Sequence, residues 1–223
     1  FVDMYAKCGS LTESRQVLSK LPIQNVVSWT ALITGYIEHG FHTKALTCFK
    51  QIQDRGVSPD VITFVGCLKA ASSQKDARKG QKLHFHIIKE KFEKDIFIGN
   101  GLIDMYGQCG LLVEAYEVII DMPFRDVVSW NALLAGFVEH GLGEEALTCL
   151  NQMLEDSIFP DAVTFICSLK ACSCLGEISS GQKIHAEIAM EGYEIDLCIG
   201  NTLIDMYFKC GLLIEACELF DEL

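Results

Sequence analysis

The chain has 223 residues, half of them apolar, and a formal net charge of −12. That acidity argues against a nucleic-acid binder working through a broad basic patch, and no apolar run approaches the ~18–20 residues of a membrane-spanning helix. The eleven cysteines include no Cys-x-x-Cys pair, a usage that suits a reducing compartment rather than secretion.

Residues 1–25 hold the end of one helix, a glycine turn at Gly9 and a second helix near 11–21, closed by Pro22. Over 26–60 two helical stripes follow. Val26, Trp29, Leu32, Ile33, Tyr36 and Ile37 form the first, and Ala45, Leu46, Phe49 and Ile52 the second, with Gly40 between them. Residues 61–95 repeat the pattern with Ile62, Phe64, Val65, Leu68 and Ala71, then Leu83, His84, Ile87 and Ile88. Residues 96–126 are shorter, with Ile98, Leu102, Ile103 and Tyr106 before Gly110 and Ala115, Val118 and Ile119 after it. The cycle restarts over 127–161, 162–196 and 197–223.

The restart is an internal repeat with an offset of 101 residues. Trp29 maps to Trp130, Pro59 to Pro160 and Asp60 to Asp161, and Asp3-Met4-Tyr5 returns at Asp104 and again at Asp205. Units of 35, 35 and 31 residues make up that period. A period of this kind predicts stacked helical hairpins rather than one globular core. The expected fold is all-α, a right-handed superhelical α-solenoid of helix–turn–helix repeats with a concave inner surface. The chain begins and ends in mid-repeat, as a piece of a longer array would.

Val26-Val27-Ser28-Trp29-Thr30-Ala31-Leu32-Ile33, Gly80-Gln81-Lys82-Leu83-His84 and Gly99-Asn100-Gly101-Leu102-Ile103-Asp104-Met105-Tyr106 resemble three motifs of the plant pentatricopeptide repeat family. They match, in order, the P, L and S motifs of its PLS subclass, and the 35/35/31 cycle resembles that subclass too. The resemblance covers the whole chain. It makes 26–60 and 127–161 P-type repeats, 61–95 and 162–196 L-type, 96–126 S-type, and 1–25 and 197–223 partial S-type repeats.

The resemblance implies recognition of single-stranded RNA at one base per repeat. In the family, the fifth and last residues of each motif contact the base, and the second residues of neighbouring motifs sandwich it. Carried over, the base-reading pairs are Thr30 with Asp60, Asn100 with Asp126 and Asn131 with Asp161. Asn25 and Asn201 belong to the partial repeats. The L motifs place Val65 with Asp95 and Ile166 with Asp196, where no polar fifth residue is available for readout. The family's pairing rules read Thr–Asp as guanine and Asn–Asp as uracil, giving 5'-GNUUN-3' as the expected core. The sandwich positions are Val27, Ile62, Phe97, Val128, Val163 and Cys198. From spacing alone they fit equally well as core at helix starts. Family resemblance further implies a specificity module for C-to-U editing in a mitochondrion or chloroplast, with editing-complex proteins as partners. No catalytic residue, metal, cofactor, membrane or DNA is implied, and any deaminase domain would lie outside these residues. A protein–protein scaffold is the alternative, since helical-repeat grooves also bind peptides.

Other candidates have plainer readings. His185-Ala186-Glu187 matches only half of a zinc-deaminase signature, and the equivalent His84-Phe85-His86 has no glutamate. Cys172 and Cys174 point ~200° apart on a helix and cannot close one metal site; with Cys167 they read as core packing. Cys8, Cys109 and Cys210, and likewise Cys48 and Cys149, recur at equivalent positions and read as small buried side chains. His39 and His140 suit helix C-termini, and Trp29 and Trp130 suit the core. Lys69, Lys82, Lys170 and Lys183 are candidate phosphate contacts. Acidic residues, among them Glu144, Glu145, Glu155, Asp156, Glu191, Glu194 and 215–222, fall mostly on second helices, away from the expected inner surface.

Overall fold

A computed structural model describes residues 1–193 and 196–222; of the acidic residues above, Glu194 lies outside them. Among the described residues the secondary structure is entirely helical, with fourteen α-helices. They divide into two compact units, residues 1–123 and 124–223. The first holds α1 (Val2–Lys7), α2 (Leu11–Lys20), α3 (Val26–Glu38), α4 (His42–Asp54), α5 (Val61–Ser73), α6 (Ala77–Lys89), α7 (Ile96–Gln108) and α8 (Leu112–Asp121). The second holds α9 (Val127–Glu139), α10 (Gly143–Glu155), α11 (Ala162–Leu175), α12 (Ile178–Met190), α13 (Leu197–Lys209) and α14 (Leu213–Glu222).

Each unit is a stack of antiparallel hairpins. In the first, α1, α3, α5 and α7 pack successively on one another, while α2, α4, α6 and α8 pack on their own first helices. α2, α4 and α6 also touch the first helix of the following hairpin. The second unit repeats this arrangement, α9, α11 and α13 forming one layer and α10, α12 and α14 the other. Leu32, Ile33, Phe64, Leu68, Ile98 and Ile103 are almost fully buried in the first unit's seam, as are Leu133, Leu134, Leu169 and Ile199 in the second's. Burying such a side chain stabilises by about 1.5–3 kcal/mol. A small-residue contact brings α1 and α3 close: a Cβ on Gly35 would stand 2.6 Å from Ala6 Cβ.

Helix ends follow from local chemistry. α3 and α9 stop at His39 and His140, whose Nδ1 atoms donate to the carbonyls of Gly35 and Gly136 at 2.9 and 3.0 Å. Gly40 and Gly141 come next, with φ of 77° and 73°, a conformation that glycine adopts without a Cβ clash.

The packing corrects parts of the sequence reading. Ile62 and Ile88 fall on helical stripes but are exposed, Ile62 because it sits in the first turn of α5, beyond the packed seam. Cys48, Cys149, Cys167 and Cys172 are buried, whereas Cys8 and Cys174 are exposed and Cys109 and Cys210 half-buried. Cys8, Cys109 and Cys210 are C-cap residues, where the chain leaves the hairpin seam to turn.

Candidate functional site

The last residue of each expected repeat stands at the N-cap of the next first helix. Asn25, Asp60, Asp95, Asp126, Asp161 and Asp196 cap α3, α5, α7, α9, α11 and α13 in that order. Each side chain accepts a backbone N–H that the helix itself leaves without a partner. Capping therefore fixes these polar groups in place before any ligand arrives.

In the first unit, Thr30 lies one turn into α3, and Asp60 and Thr63 meet it from the start of α5. Thr30 Oγ1 is 2.7 Å from Thr63 Oγ1 and 3.4 Å from Asp60 Oδ1. Thr63 donates its backbone N–H and its hydroxyl to that same Asp60 oxygen, at 2.8 and 2.6 Å. The second unit builds the equivalent cluster. Asn131 Nδ2 donates to Asp161 Oδ1 at 2.9 Å, Thr164 Oγ1 donates to Asn131 Oδ1 at 2.6 Å, and the Thr164 N–H donates to Asp161 at 2.9 Å. Thr30 and Asn131 each retain 8% of their surface, while Thr63 and Thr164 have none. Burial pushes the Asp161 carboxyl up, but hydrogen bonds from Thr164 and Asn131 outweigh it and hold the group below its ordinary value. At neutral pH it is a carboxylate, able only to accept.

The remaining positions differ. Val65 and Ile166, half-buried on α5 and α11, offer no polar atom. Asp95 accepts from the N–H groups of Phe97 and Ile98, and Asp196 from those of Cys198 and Ile199. Asn100 is half-buried on α7 in the first unit, and Asp126 half-buried at the start of α9 in the second. Asn25 is exposed and accepts from the Ser28 N–H and hydroxyl at 3.0 and 2.8 Å; Asn201 is exposed on α13.

The apolar second residues of the first helices all face solvent. Exposure runs from 50% at Val163 through 54% at Val128 to 65–67% at Ile62, Phe97 and Val27, and Cys198 is exposed as well. Helix-start core is therefore not their place. Val27 and Ile62 occupy the first turns of the same helices that carry Thr30 and Asp60, and Val128 and Val163 those that carry Asn131 and Asp161. Each cluster thus combines a polar, preset hydrogen-bonding group with exposed apolar side chains on both contributing helices.

The other sequence candidates are structural or peripheral. His84 and His185 bond through Nδ1 to the hydroxyls of Tyr106 and Tyr207 at 2.8 and 2.9 Å, and Glu187 is exposed. Trp29 and Trp130 are buried. Lys69, Lys82, Lys170 and Lys183 are exposed. The residues missed from sequence are Thr63 and Thr164. Their signal was a hydroxyl at the third position of the repeat that follows each polar fifth residue.

Stacked helical hairpins whose first helices, from α3 onward, are capped by the last residue of the preceding repeat define a helical-repeat protein. The chain belongs to the PPR repeat family: the PPR repeat family pattern matches residues 24–72 and 125–174, and the PPR repeat pattern matches 100–127 and 201–223. Among similar proteins of Arabidopsis thaliana, the mitochondrial pentatricopeptide repeat-containing protein At3g24000 is 37% identical over 100% of this chain and 35% of its own length. The chloroplastic pentatricopeptide repeat-containing protein At4g18520 is 35% identical over 100% of this chain and 36% of its own. The chain thus spans about a third of the relatives it matches. The crystal structure of the pentatricopeptide repeat protein PPR10 in complex with an 18-nt psaJ RNA element matches 99% of this chain and 33% of that one, with a TM-score of 0.81 and 19% identity. The crystal structure of the pentatricopeptide repeat protein PPR10 from maize matches 99% of this chain and 37% of that one, with a TM-score of 0.59 and 20% identity.

Proposed function

We propose that this array binds single-stranded RNA sequence-selectively, one base per repeat, through the Thr30–Asp60 and Asn131–Asp161 clusters. The observation that carries the reading is the union, in each cluster, of a preset polar pair with exposed apolar residues on both helices. A base needs both: hydrogen bonds for its edge and apolar surface for its faces. The complex of PPR10 with RNA supports the same reading by likeness of fold.

The finer assignment follows the repeat types. Residues 26–60 and 127–161 act as P-type, 61–95 and 162–196 as L-type, and 96–126 as S-type repeats, with partial S-type repeats over 1–25 and 197–223. Thr30–Asp60 reads guanine, Asn100–Asp126 and Asn131–Asp161 read uracil, and the L-type repeats with Val65 and Ile166 read weakly or not at all. The core is 5'-GNUUN-3'. The organellar labels of the relatives support work on mitochondrial or chloroplast transcripts, with C-to-U editing and its partner proteins as the setting. The array itself supplies specificity and no catalysis.

Equilibrium binding to two short RNAs tests this. One carries GNUUN, and in the other guanine and uracil exchange places. Preference for the first at two salt concentrations is expected. Equal binding that fades with salt would reduce the interaction to charge attraction, and no binding to either would favour a peptide-binding scaffold.

A further inference from the structure

We propose that Thr63 and Thr164, the third residues of the repeats that follow Thr30 and Asn131, are positioning residues for the two base readers, and that Thr164 sets the hydrogen-bonding polarity of Asn131. This inference rests on the RNA-binding reading above and assigns it a part beyond the fifth, last and second residues of each repeat.

A threonine hydroxyl has one hydrogen to give. Thr63 Oγ1 lies 2.6 Å from the Asp60 carboxylate, which can only accept. Thr30 Oγ1 also lies 2.9 Å from the Val26 carbonyl, which can only accept. The single Thr30 hydrogen goes either there, with Thr63 donating to Thr30, or to Thr63 Oγ1 at 2.7 Å, with Thr63 donating to Asp60. In both arrangements it is spent inside the protein. Thr30 then turns lone pairs outward and offers an acceptor. The Watson–Crick edge of guanine carries two adjacent donors, the ring N–H and the amino group, so an acceptor suits it.

In the second cluster the same position works on an amide. Asn131 Nδ2 gives one hydrogen to Asp161 at 2.9 Å, and Asn131 Oδ1 accepts the Thr164 hydroxyl at 2.6 Å. Thr164 Oγ1 in turn accepts the Asp161 N–H at 3.1 Å. The amide is held from both ends, so it cannot flip. It retains one N–H and one lone pair in a defined order, a match for the adjacent donor and acceptor of uracil. Without the hydroxyl, one end of the amide loses its fixed partner and the orientation is less sharply held.

The pattern along the chain supports a coupled role. Polar fifth residues Thr30, Asn100 and Asn131 are followed, in the next repeat, by hydroxyl third residues Thr63, Ser129 and Thr164. Apolar fifth residues Val65 and Ile166 are followed by Ile98 and Ile199. Capping alone does not demand this alternation, because Asp95 and Asp196 cap helices whose third residue is isoleucine.

The test is Thr164→Val, a near-isosteric change at a buried site, beside Thr164→Ser, which restores the hydroxyl. The 223-residue chain is titrated with four RNAs that differ only at the nucleotide assigned to Asn131, and helicity is checked by circular dichroism. In Thr164→Val the preference for uracil over the other three bases falls about three- to tenfold, the scale of one hydrogen bond, and Thr164→Ser recovers it. An unchanged preference ratio in Thr164→Val overturns the proposal and leaves the RNA reading standing. A loss equal for all four bases also overturns it, since a purely structural role predicts that. A parent chain with no base preference at this nucleotide overturns both.

Discussion

Truncating Asp161 to alanine removes two things at once, and the geometry separates them. The first is the N-cap of α11, where the carboxylate accepts the Thr164 N–H at 2.9 Å; such a cap is worth about 1 kcal/mol. The second is the acceptor for the Asn131 amide, also at 2.9 Å. Leaving that nearly buried donor without a partner adds about 1–3 kcal/mol. Asp161→Ala should therefore cost about 2–4 kcal/mol, whereas Asp161→Asn keeps a capping oxygen and should cost about 1 kcal/mol or less. A double-mutant cycle with Asn131→Ala isolates the shared bond, with an expected coupling of about 1 kcal/mol. Repeat arrays need not unfold in one step, so the assay is hydrogen exchange at the Thr164 amide alongside urea unfolding. Because the Asp161 carboxyl sits below its ordinary value in the fold, its contribution is full above the unfolded-state value near pH 4. It is lost as pH falls through the lower folded value. Additive single and double variants, within about 0.3 kcal/mol, would refute the direct bond.

Three further outcomes follow. Phe97 is 66% exposed, so Phe97→Ala should leave folding within about 0.5 kcal/mol yet weaken RNA binding by about 1–3 kcal/mol if it stacks on a base; equal binding by the two proteins would remove it from the interface. Gly35→Ala would put a Cβ 2.6 Å from Ala6 Cβ and 3.1 Å from its backbone Cα, and should destabilise α1 against α3 by about 1–3 kcal/mol despite alanine's better helix propensity. Hydrogen exchange in α1 reads that loss, and unchanged protection there would contradict the close approach. Burial lowers the His84 pKa, so the fold resists its protonation, and stability should decline as pH falls below about 6.5; an NMR titration giving His84 an ordinary or raised value would overturn this.

Much of the fold was legible because two signals coincide along the chain. Apolar residues recur at helical spacing, and the same turn glycines and N-cap residues return at the 101-residue offset. Periodicity misplaced residues where a stripe runs past the packed seam. Ile62 lies on its helical stripe yet stands in the first turn of α5, open to solvent. Recurrence likewise could not separate core from turn: Cys48 and Cys149 repeat inside the seam, while Cys8, Cys109 and Cys210 repeat at C-caps. The positions of Thr30, Asp60, Asn131 and Asp161 were legible only through family resemblance, since a threonine or asparagine one turn into a helix has no distinctive local signature. The contribution of Thr63 and Thr164 required the structure. A threonine three residues after an aspartate reads as ordinary capping chemistry. Only the packing of α3 on α5 and of α9 on α11 brings each hydroxyl to the fifth residue of the preceding repeat.

The central claim is that Thr30 and Asp60 read one base. The most direct measurement is the base preference of Thr30→Asn at the first nucleotide of the GNUUN core, with the other four nucleotides held constant. The variant recreates at residue 30 the Asn–Asp pair of residues 131 and 161, and the preference should move from guanine to uracil at that nucleotide alone. A variant that keeps the parent's guanine preference, or changes preference at a different nucleotide, would contradict the assignment.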